Sequence, residues 1–440
     1  MTISRIHHST FASQPGLALT ARLGSVLLCG ALLAGLALNS RAQTPETQTE
    51  LTVVSINDLV NAALTHNASL KAARRGVDVA TAAVVTASAF PNPKIELNGG
   101  RNATPTPTSS AGNVTGVGIS QLIENPLLRQ ARASGAQFAE QGSRQSFAMT
   151  RNELVAQVRL RAYEYLLRRL QAQEAAESLS LLEQTRERIK VRVDTGETGK
   201  LDLIRADAEI VNASQREQTA RLQIAQAATT LNRLAAGMLP PRWELDAELD
   251  EAVAMSSLEQ MKKDAVSLNP EVRLLEAELS RTKARIDEAN ASLLPGVELR
   301  MSQLREPDRR QDMVGVSVQI PLFDQKRGPR AEAIAERERT IARLEGRRAE
   351  LMQQLELAWR AVEIANVRVK ALSEGAVRSS EAALRVAEAA YRYGERGILE
   401  VLDAQRVLRS VRQDLLLARY ELKAAQIELE VLSGRYANER

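Results

Sequence analysis

Thr195-Gly196-Glu197-Thr198-Gly199-Lys200-Leu201-Asp202 has a counterpart about 200 residues on, Tyr393-Gly394-Glu395-Arg396-Gly397-Ile398-Leu399-Glu400, and that spacing marks an internal repeat. In each stretch two glycines interrupt a helical pattern, and glycine permits a tight reversal between antiparallel helices. Upstream of the first turn, Leu127 to Val193 holds no proline. It covers about 67 residues, near 100 Å at ~1.5 Å per residue. Its counterpart, Arg330 to Arg392, covers about 63 residues by the same measure. The helices returning from the turns, Leu201 to Ala236 and Leu399 to Leu432, are about half that length. Helices this long need a continuous packing partner, and Leu154, Val158, Leu166, Leu170, Leu179, Leu182 and Ile189 offer a stripe for one. Two half-length helices stacked end to end match one long helix, which predicts a cylinder built from both kinds.

Working outward, each copy opens at an asparagine, Asn67-Ala68 and Asn269-Pro270. A helix is expected over Ile56 to Ala89, capped at Asn57-Asp58-Leu59, and another from Ser257 to about Ser292. Proline stops both, at Phe90-Pro91-Asn92-Pro93 and Leu293-Leu294-Pro295-Gly296. Two alternating segments follow in each copy. Ile95, Leu97 and Gly99 alternate with Glu96, Asn98 and Gly100, and Val117 and Ile119 with Gly118 and Ser120. In the second copy Val297, Leu299 and Met301 alternate with Glu298, Arg300 and Ser302. Val314, Val316, Val318 and Ile320 alternate with Gly315, Ser317 and Gln319. Each is roughly 9–10 residues, the length that crosses a bilayer when tilted. A Pro-Leu element, Asn125-Pro126-Leu127-Leu128 or Ile320-Pro321-Leu322-Phe323, then leads into the long helix.

The expected divisions are a signal peptide over 1–42, an N-terminal arm over 43–55 and a first repeat over 56–236 with strands at about 94–122. A linker over 237–256 leads to a second repeat over 257–432, with strands at about 296–321, and a tail over 433–440. The export signal rests on Arg5 and Arg22 ahead of an apolar run from Leu23 to Leu38, with small residues at Ser40-Arg41-Ala42. Cys29 raises a lipoprotein alternative, but Leu28 stands where a small residue is expected before a lipid-modified cysteine.

Composition narrows the functions. Aromatic residues make up 3% of the chain, which suits long helices packed through small residues rather than an aromatic-rich globule. The formal charge of +4 includes Arg5, Arg22 and Arg41. Cleavage would leave about +1, with basic and acidic groups interleaved, so no nucleic-acid partner is expected. The chain past Ala42 has no cysteine and one histidine, His66. Disulfides and Cys or two-His metal sites within one protomer are thereby excluded. No phosphate-binding glycine loop, acid–base pair or nucleophile constellation is present, so neither an enzyme nor a cofactor is expected.

The order of elements, the duplication and the turn motifs Gly196…Leu201-Asp202…Ala206 and Gly394…Leu399-Glu400…Ala404 resemble the TolC family of outer-membrane efflux proteins. Phe90-Pro91-Asn92-Pro93 and Gln319-Ile320-Pro321-Leu322-Phe323 are similar to its cobalt–zinc–cadmium-type, heavy-metal RND branch. The resemblance implies a mainly α fold with a small β part. Three chains would share a 12-stranded outer-membrane β-barrel continuing into a long periplasmic α-helical barrel. This agrees with geometry, since four strands per chain cannot close a barrel when membrane barrels begin at about eight. The implied role is a passive exit duct in the outer membrane of a Gram-negative bacterium. Its implied partners are a periplasmic adaptor, an inner-membrane RND-type pump and outer-membrane lipid. Metals, drugs and organic solvents all remain compatible as cargo, with divalent cations one candidate. An exported coiled-coil scaffold and a periplasmic adaptor are the rival readings; the first leaves the strands unused and the second does not explain a doubled hairpin.

Candidate site residues follow. The turns are expected at the far end of the cylinder, with Gly196, Gly199, Leu201, Asp202, Ala206, Gly394, Gly397, Leu399, Glu400 and Ala404 as adaptor-docking tips. A purely structural role leaves the glycines to turn the chain and the leucines to seal the helix pair. Asp194, Glu197, Glu395 and Asp403, with Asp202 and Glu400, are candidate lumen charges selecting cations by their field. Val314, Val316, Val318 and Ile320 are expected to face lipid.

Overall fold

The computed structural model describes residues 52–103, 110–251 and 255–437. The expected signal peptide, Cys29 and the arm up to residue 51 lie outside them. The chain starts with β1 (Thr52–Ser55), α1 (Ile56–His66) and α2 (Ala68–Ser88), then β2 (Lys94–Asn102) and β3 (Gly112–Ile123). The long helix α3 (Pro126–Asp194) returns through α4 (Lys200–Leu234), and β4 (Trp243–Asp246) leads to the second copy. That copy comprises α5 (Leu258–Leu268), α6 (Pro270–Ala291), β5 (Val297–Arg305), β6 (Arg310–Val318), α7 (Arg327–Ala371), α8 (Val377–Arg392) and α9 (Ile398–Leu432).

The helix expected over 56–89 is two helices, broken at Asn67, and that over 257–292 breaks at Asn269. Each asparagine is at once the C-cap of one helix and the N-cap of the next. The Asn67 Oδ1 accepts from the amides of Ser69 and Leu70, and the Asn269 Oδ1 from those of Glu271 and Val272. These are donors a helix start leaves without partners. The side-chain amides donate the other way, from Asn269 to the Leu432 carbonyl at 3.0 Å and from Asn67 to the Leu234 carbonyl at 3.5 Å. The start of α2 therefore meets the end of α4, and the start of α6 meets the end of α9. Half-length helices are stacked end to end along the long ones. The first cap also differs from expectation. Ser55, not Asn57, caps α1, in a reciprocal box with Asp58 at N3, and the Ser55 hydroxyl holds the Asp58 carboxyl below its ordinary range.

The second long helix is not continuous. Between α7 and α8, Leu372–Ala376 forms a π-turn that α3 does not share. The linker is not wholly irregular either. Its β4 pairs in parallel with β1, so Thr52 to Ser55, expected as part of an extended arm, form a strand. Around this pair lies the largest core, including Leu59, Ala63, Val155, Val158, Ala162, Leu231 and Leu245. Tyr436 of the tail is 1% exposed within it. The tail is held by a turn at Gly434 (φ +75°), where a Cβ would stand 2.8 Å from the Leu268 carbonyl carbon, so only glycine fits.

The four remaining strands form one antiparallel sheet in the order β2-β3-β5-β6. Its register puts Ile95, Ile119, Met301 and Val314 in one row on one face. Ile123, Val297 and Val318 share that face nearer the helices. Lys94, Ser120, Arg300 and Gly315 form a row on the other face. The joint between sheet and helices is polar and specific. Arg132 makes a two-pronged ion pair with Glu124 (2.5 and 2.9 Å) and donates to the Ala87 carbonyl, while Asn125 donates to the Ala291 carbonyl.

Candidate functional site

Between the sheet and the first glycine turn stands α3 alone, 69 residues, so about 100 Å separates them. Both turns are built the same way. The amides of Gly196 and Glu197 donate to the carbonyls of Val193 and Arg192, and those of Gly394 and Glu395 to Tyr391 and Ala390. This paired closure needs a left-handed residue, and Gly196 (φ +79°) and Gly394 (φ +75°) supply it. Gly199 and Gly397 are the N-caps of α4 and α9.

The two hairpins are locked together by one core. Leu182, Ile189, Ala206, Leu384, Ile398, Val401 and Leu402 are buried in it, and Ala404 packs against it. Leu201 and Leu399 behave otherwise: they are 56% and 52% exposed. Their sealing role falls to Ile398, which is 1% exposed, and to Val401. Leu399 instead lines an open groove of about 490 Å³ between α4 and α9, with Arg205, Glu209, Glu400, Asp403 and Arg406.

The six acidic tip residues divide into two kinds. Glu197 pairs with Arg192 at 3.1 Å, Asp202 with Arg205 at 3.7 Å, Glu400 with Arg396 at 2.9 Å and Asp403 with Arg406 at 3.1 Å. Asp194 and Glu395 are exposed and have no ion pair among the described residues. Arg192 bridges the hairpins: it also donates to the Tyr391 carbonyl at 3.1 Å and stands 4.7 Å from the Tyr391 ring centre, and Arg406 joins them again through Glu209 at 3.0 Å. Deeper, Gln405 reaches Thr185 at 3.4 Å. Arg409 beside it is held below the ordinary arginine range, first by burial and then by Arg216. The sequence reading missed Arg192 and Tyr391; an arginine in the last turn of one repeat facing an aromatic in the last turn of the other was the available signal.

At the opposite end, Val314 is 83% exposed, Val316 66% and Val318 45%, on the face that also carries Ile95, Leu97, Val117 and Ile119. Ile320, expected in the same strand, is 68% exposed but lies past its end at Val318. A free-standing soluble sheet would cover such a face. Among the described residues, the strand edges β2 and β6 are both open. An open sheet with one apolar face, carried on a long helical body that ends in paired glycine turns, defines a protomer of an outer-membrane channel.

The chain belongs to the outer membrane efflux protein family, whose model matches residues 59–237 and 262–435. Among curated relatives, the cobalt-zinc-cadmium resistance protein CzcC of Cupriavidus metallidurans is 24% identical, over 79% of this chain and 82% of its own. The outer membrane efflux protein BepC of Brucella suis is 24% identical, over 92% and 89%. Among solved structures, CusC superposes with a TM-score of 0.75 at 19% identity, covering 86% of this chain and 91% of that one. The open state of the Neisseria gonorrhoeae MtrE outer membrane channel gives 0.72 at 21% identity, covering 86% and 88%. The protein is thus an exit duct of the outer membrane in a tripartite efflux system, with a large periplasmic part. Its family and fold are those of channel proteins, which work as trimers with an adaptor and an inner-membrane pump.

Proposed function

We propose that three copies of this chain close one barrel, that the two glycine turns dock to a periplasmic adaptor of an RND-type pump, and that the cargo is a divalent metal cation. The four-stranded sheet with two open edges carries the first part. An open edge in lipid leaves backbone groups without partners, and about eight strands are the minimum for closure. Three chains supply twelve by pairing β6 of one protomer with β2 of the next. Val314, Val316, Val318 and Ile320 then face lipid, and Gly315, Ser317 and Gln319 face the lumen.

Docking at the tips is supported by the exposure of Leu201, Leu399 and all four turn glycines at the end farthest from the sheet. The cargo reading is supported by Asp194 and Glu395, the tip carboxylates that no arginine neutralises; a ring of three protomers brings six of them together and favours cations by field. Likeness to a relative named for cobalt, zinc and cadmium resistance points the same way.

Deletion of the gene should sensitise cells to cobalt, zinc or cadmium, and Asp194→Asn with Glu395→Gln should reproduce part of that sensitivity at normal trimer yield. Unchanged metal tolerance in the deletion rejects the cargo. A stable monomer in detergent that still inserts in lipid rejects the shared barrel.

A further inference from the structure

The upper end of the sheet carries a charge pattern that conduction does not use. The loop-proximal rows of the outward face hold three arginines. Gly99, Thr115, Arg305 and Arg310 form one row, and Arg101 stands opposite Asn113 in the next row out. That these positions point outward is supported by exposure as well as register. On β3, Thr115, Val117 and Ile119 are exposed while Gly116, Gly118 and Ser120 between them are buried. The strands' inward face at the same height holds no cation: its rows are Asn98–Gly116–Leu304–Gln311 and Gly100–Val114, and the turn beyond carries Arg309, which is ion-paired with Glu306 across it. Arginine is absent from the lower outward rows too, which are Leu97–Val117–Gln303–Asp312, Ile95–Ile119–Met301–Val314, Gln121–Leu299–Val316 and Ile123–Val297–Val318. Of the cations at this end, the two with no ion pair among the described residues, Arg101 and Arg305, both lie on the outward face.

The three arginines are short of counter-charge. Arg305 and Arg310 are direct cross-strand partners, and like charges placed opposite each other are destabilising. One carboxylate is within ion-pair distance of the group: Asp312 lies 3.3 Å from Arg310 and also accepts from Gln303 at 2.8 Å, while in the connecting turn Glu306 pairs with Arg309 and Asp308 accepts from Ser110. Arg101 and Arg305 have no ion pair among the described residues. Depth fits an interface. Val314 and Arg310 are four residues apart, about 13–14 Å along the strand, or roughly 10 Å of height at a tilt near 40°. The guanidinium groups therefore stand just above the apolar band. In the asymmetric membrane of a Gram-negative cell that level is occupied by the phosphates of the outer-leaflet glycolipid. Guanidinium pairs with phosphate through two parallel hydrogen bonds, and long arginine stems lie along apolar surface while the head stays polar.

We infer that Arg101, Arg305 and Arg310 form a phosphate-binding site for the outer-leaflet glycolipid, fixing the depth of the barrel from its outer side. The inference rests on the outward, lipid-facing assignment of this sheet face. The test uses the full protein purified from outer membranes, with bisphosphorylated lipid A as probe, dephosphorylated lipid A and inorganic phosphate as the other arms, and native mass spectrometry as readout. Bisphosphorylated lipid A should bind at least about tenfold more tightly than the dephosphorylated form, since bonds to charged groups are the strong ones. Arg101→Gln with Arg305→Gln should lower that affinity by about tenfold or more, and Arg101→Gln alone by a smaller factor. Arg300→Gln, on β5 but facing inward, should leave it unchanged. Equal binding of the two lipid forms, an unchanged double variant, or full displacement by millimolar inorganic phosphate would overturn the site. Recovery of the variants in the outer-membrane fraction is scored separately: failure of the wild-type chain to insert counts against the lipid-facing assignment itself.

Discussion

Replacing Asn269 by alanine should cost far more than the same change at Asn67, although the two residues perform the same task in the two repeats. Asn269 is 6% exposed. Its Oδ1 accepts from two amides at the start of α6, and its amide donates to the Leu432 carbonyl at 3.0 Å. Loss of an asparagine cap costs about 1 kcal/mol, within a range of roughly 0.5–2. The Leu432 carbonyl is then left without its partner in a half-buried site, which adds about 1–3 kcal/mol. The expected total is about 2–4 kcal/mol. Asn67 is half-exposed and its bond to Leu234 is 3.5 Å long, at the limit of a hydrogen bond, so Asn67→Ala should lose only the cap, about 1 kcal/mol. Asn269→Asp separates the contributions, because it keeps the acceptor for α6 but has no donor for Leu432. It should fall between Asn269→Ala and the wild type. The assay is urea unfolding of the purified protein in detergent, followed by the helical circular dichroism signal of the periplasmic part. Equal losses at Asn67 and Asn269, or a loss under about 0.5 kcal/mol at Asn269, would refute the argument that the second end-to-end helix joint is held by this side chain.

At the sheet, Val316→Arg should impair assembly by about 2–4 kcal/mol if the site lies near the bilayer midplane, whereas Ser317→Arg should mainly alter conductance; equal recovery of both in outer membranes would mean the strands do not span lipid. At the tips, Gly196→Leu or Gly394→Leu meets no neighbour within 4 Å of its Cβ but is strained by the left-handed backbone, by about 1–2 kcal/mol. Efflux measured as growth with the cargo should fail while trimer yield holds, and full resistance would show that the tips only turn the chain. Lys423, 2% exposed, donates to the Glu251 carbonyl, and burial depresses its ammonium below the ordinary lysine range. A lysine depressed on folding binds fewer protons in the folded than in the unfolded chain, so stability should rise with pH from the folded value up to the unfolded one near 10.4. Lys423→Met should remove that part of the slope in pH-dependent urea titrations, and an unchanged slope would contradict the assignment.

The features governed by local chemistry were legible in the chain. A proline-free run of helix formers, glycines at its end and period-two alternation each act within a few residues, so the long helices, their turns and the sheet's two faces could all be read directly. The repeat was legible because the same local signals recur in the same order. Tertiary structure decided where distant segments meet. The break at Asn269 has a local signal in Pro270, which disfavours a helical residue before it, but Asn67 has none. The joining of both asparagines to the Leu234 and Leu432 carbonyls, some 160 residues away in sequence, is seen only in the structure. The parallel pairing of β1 with β4 joins four-residue strands across the whole first repeat, too short to signal themselves by periodicity. At the tips, Leu201, Leu399 and Ile398 are equally apolar in the sequence. Only the packing of one hairpin against the other buries Ile398 and leaves the leucines open. The same packing brings Arg192 to Tyr391, a contact between residues 199 apart that chain spacing does not determine, whereas the acids neutralised at the tips each pair with an arginine three to five residues away and were open to a local reading.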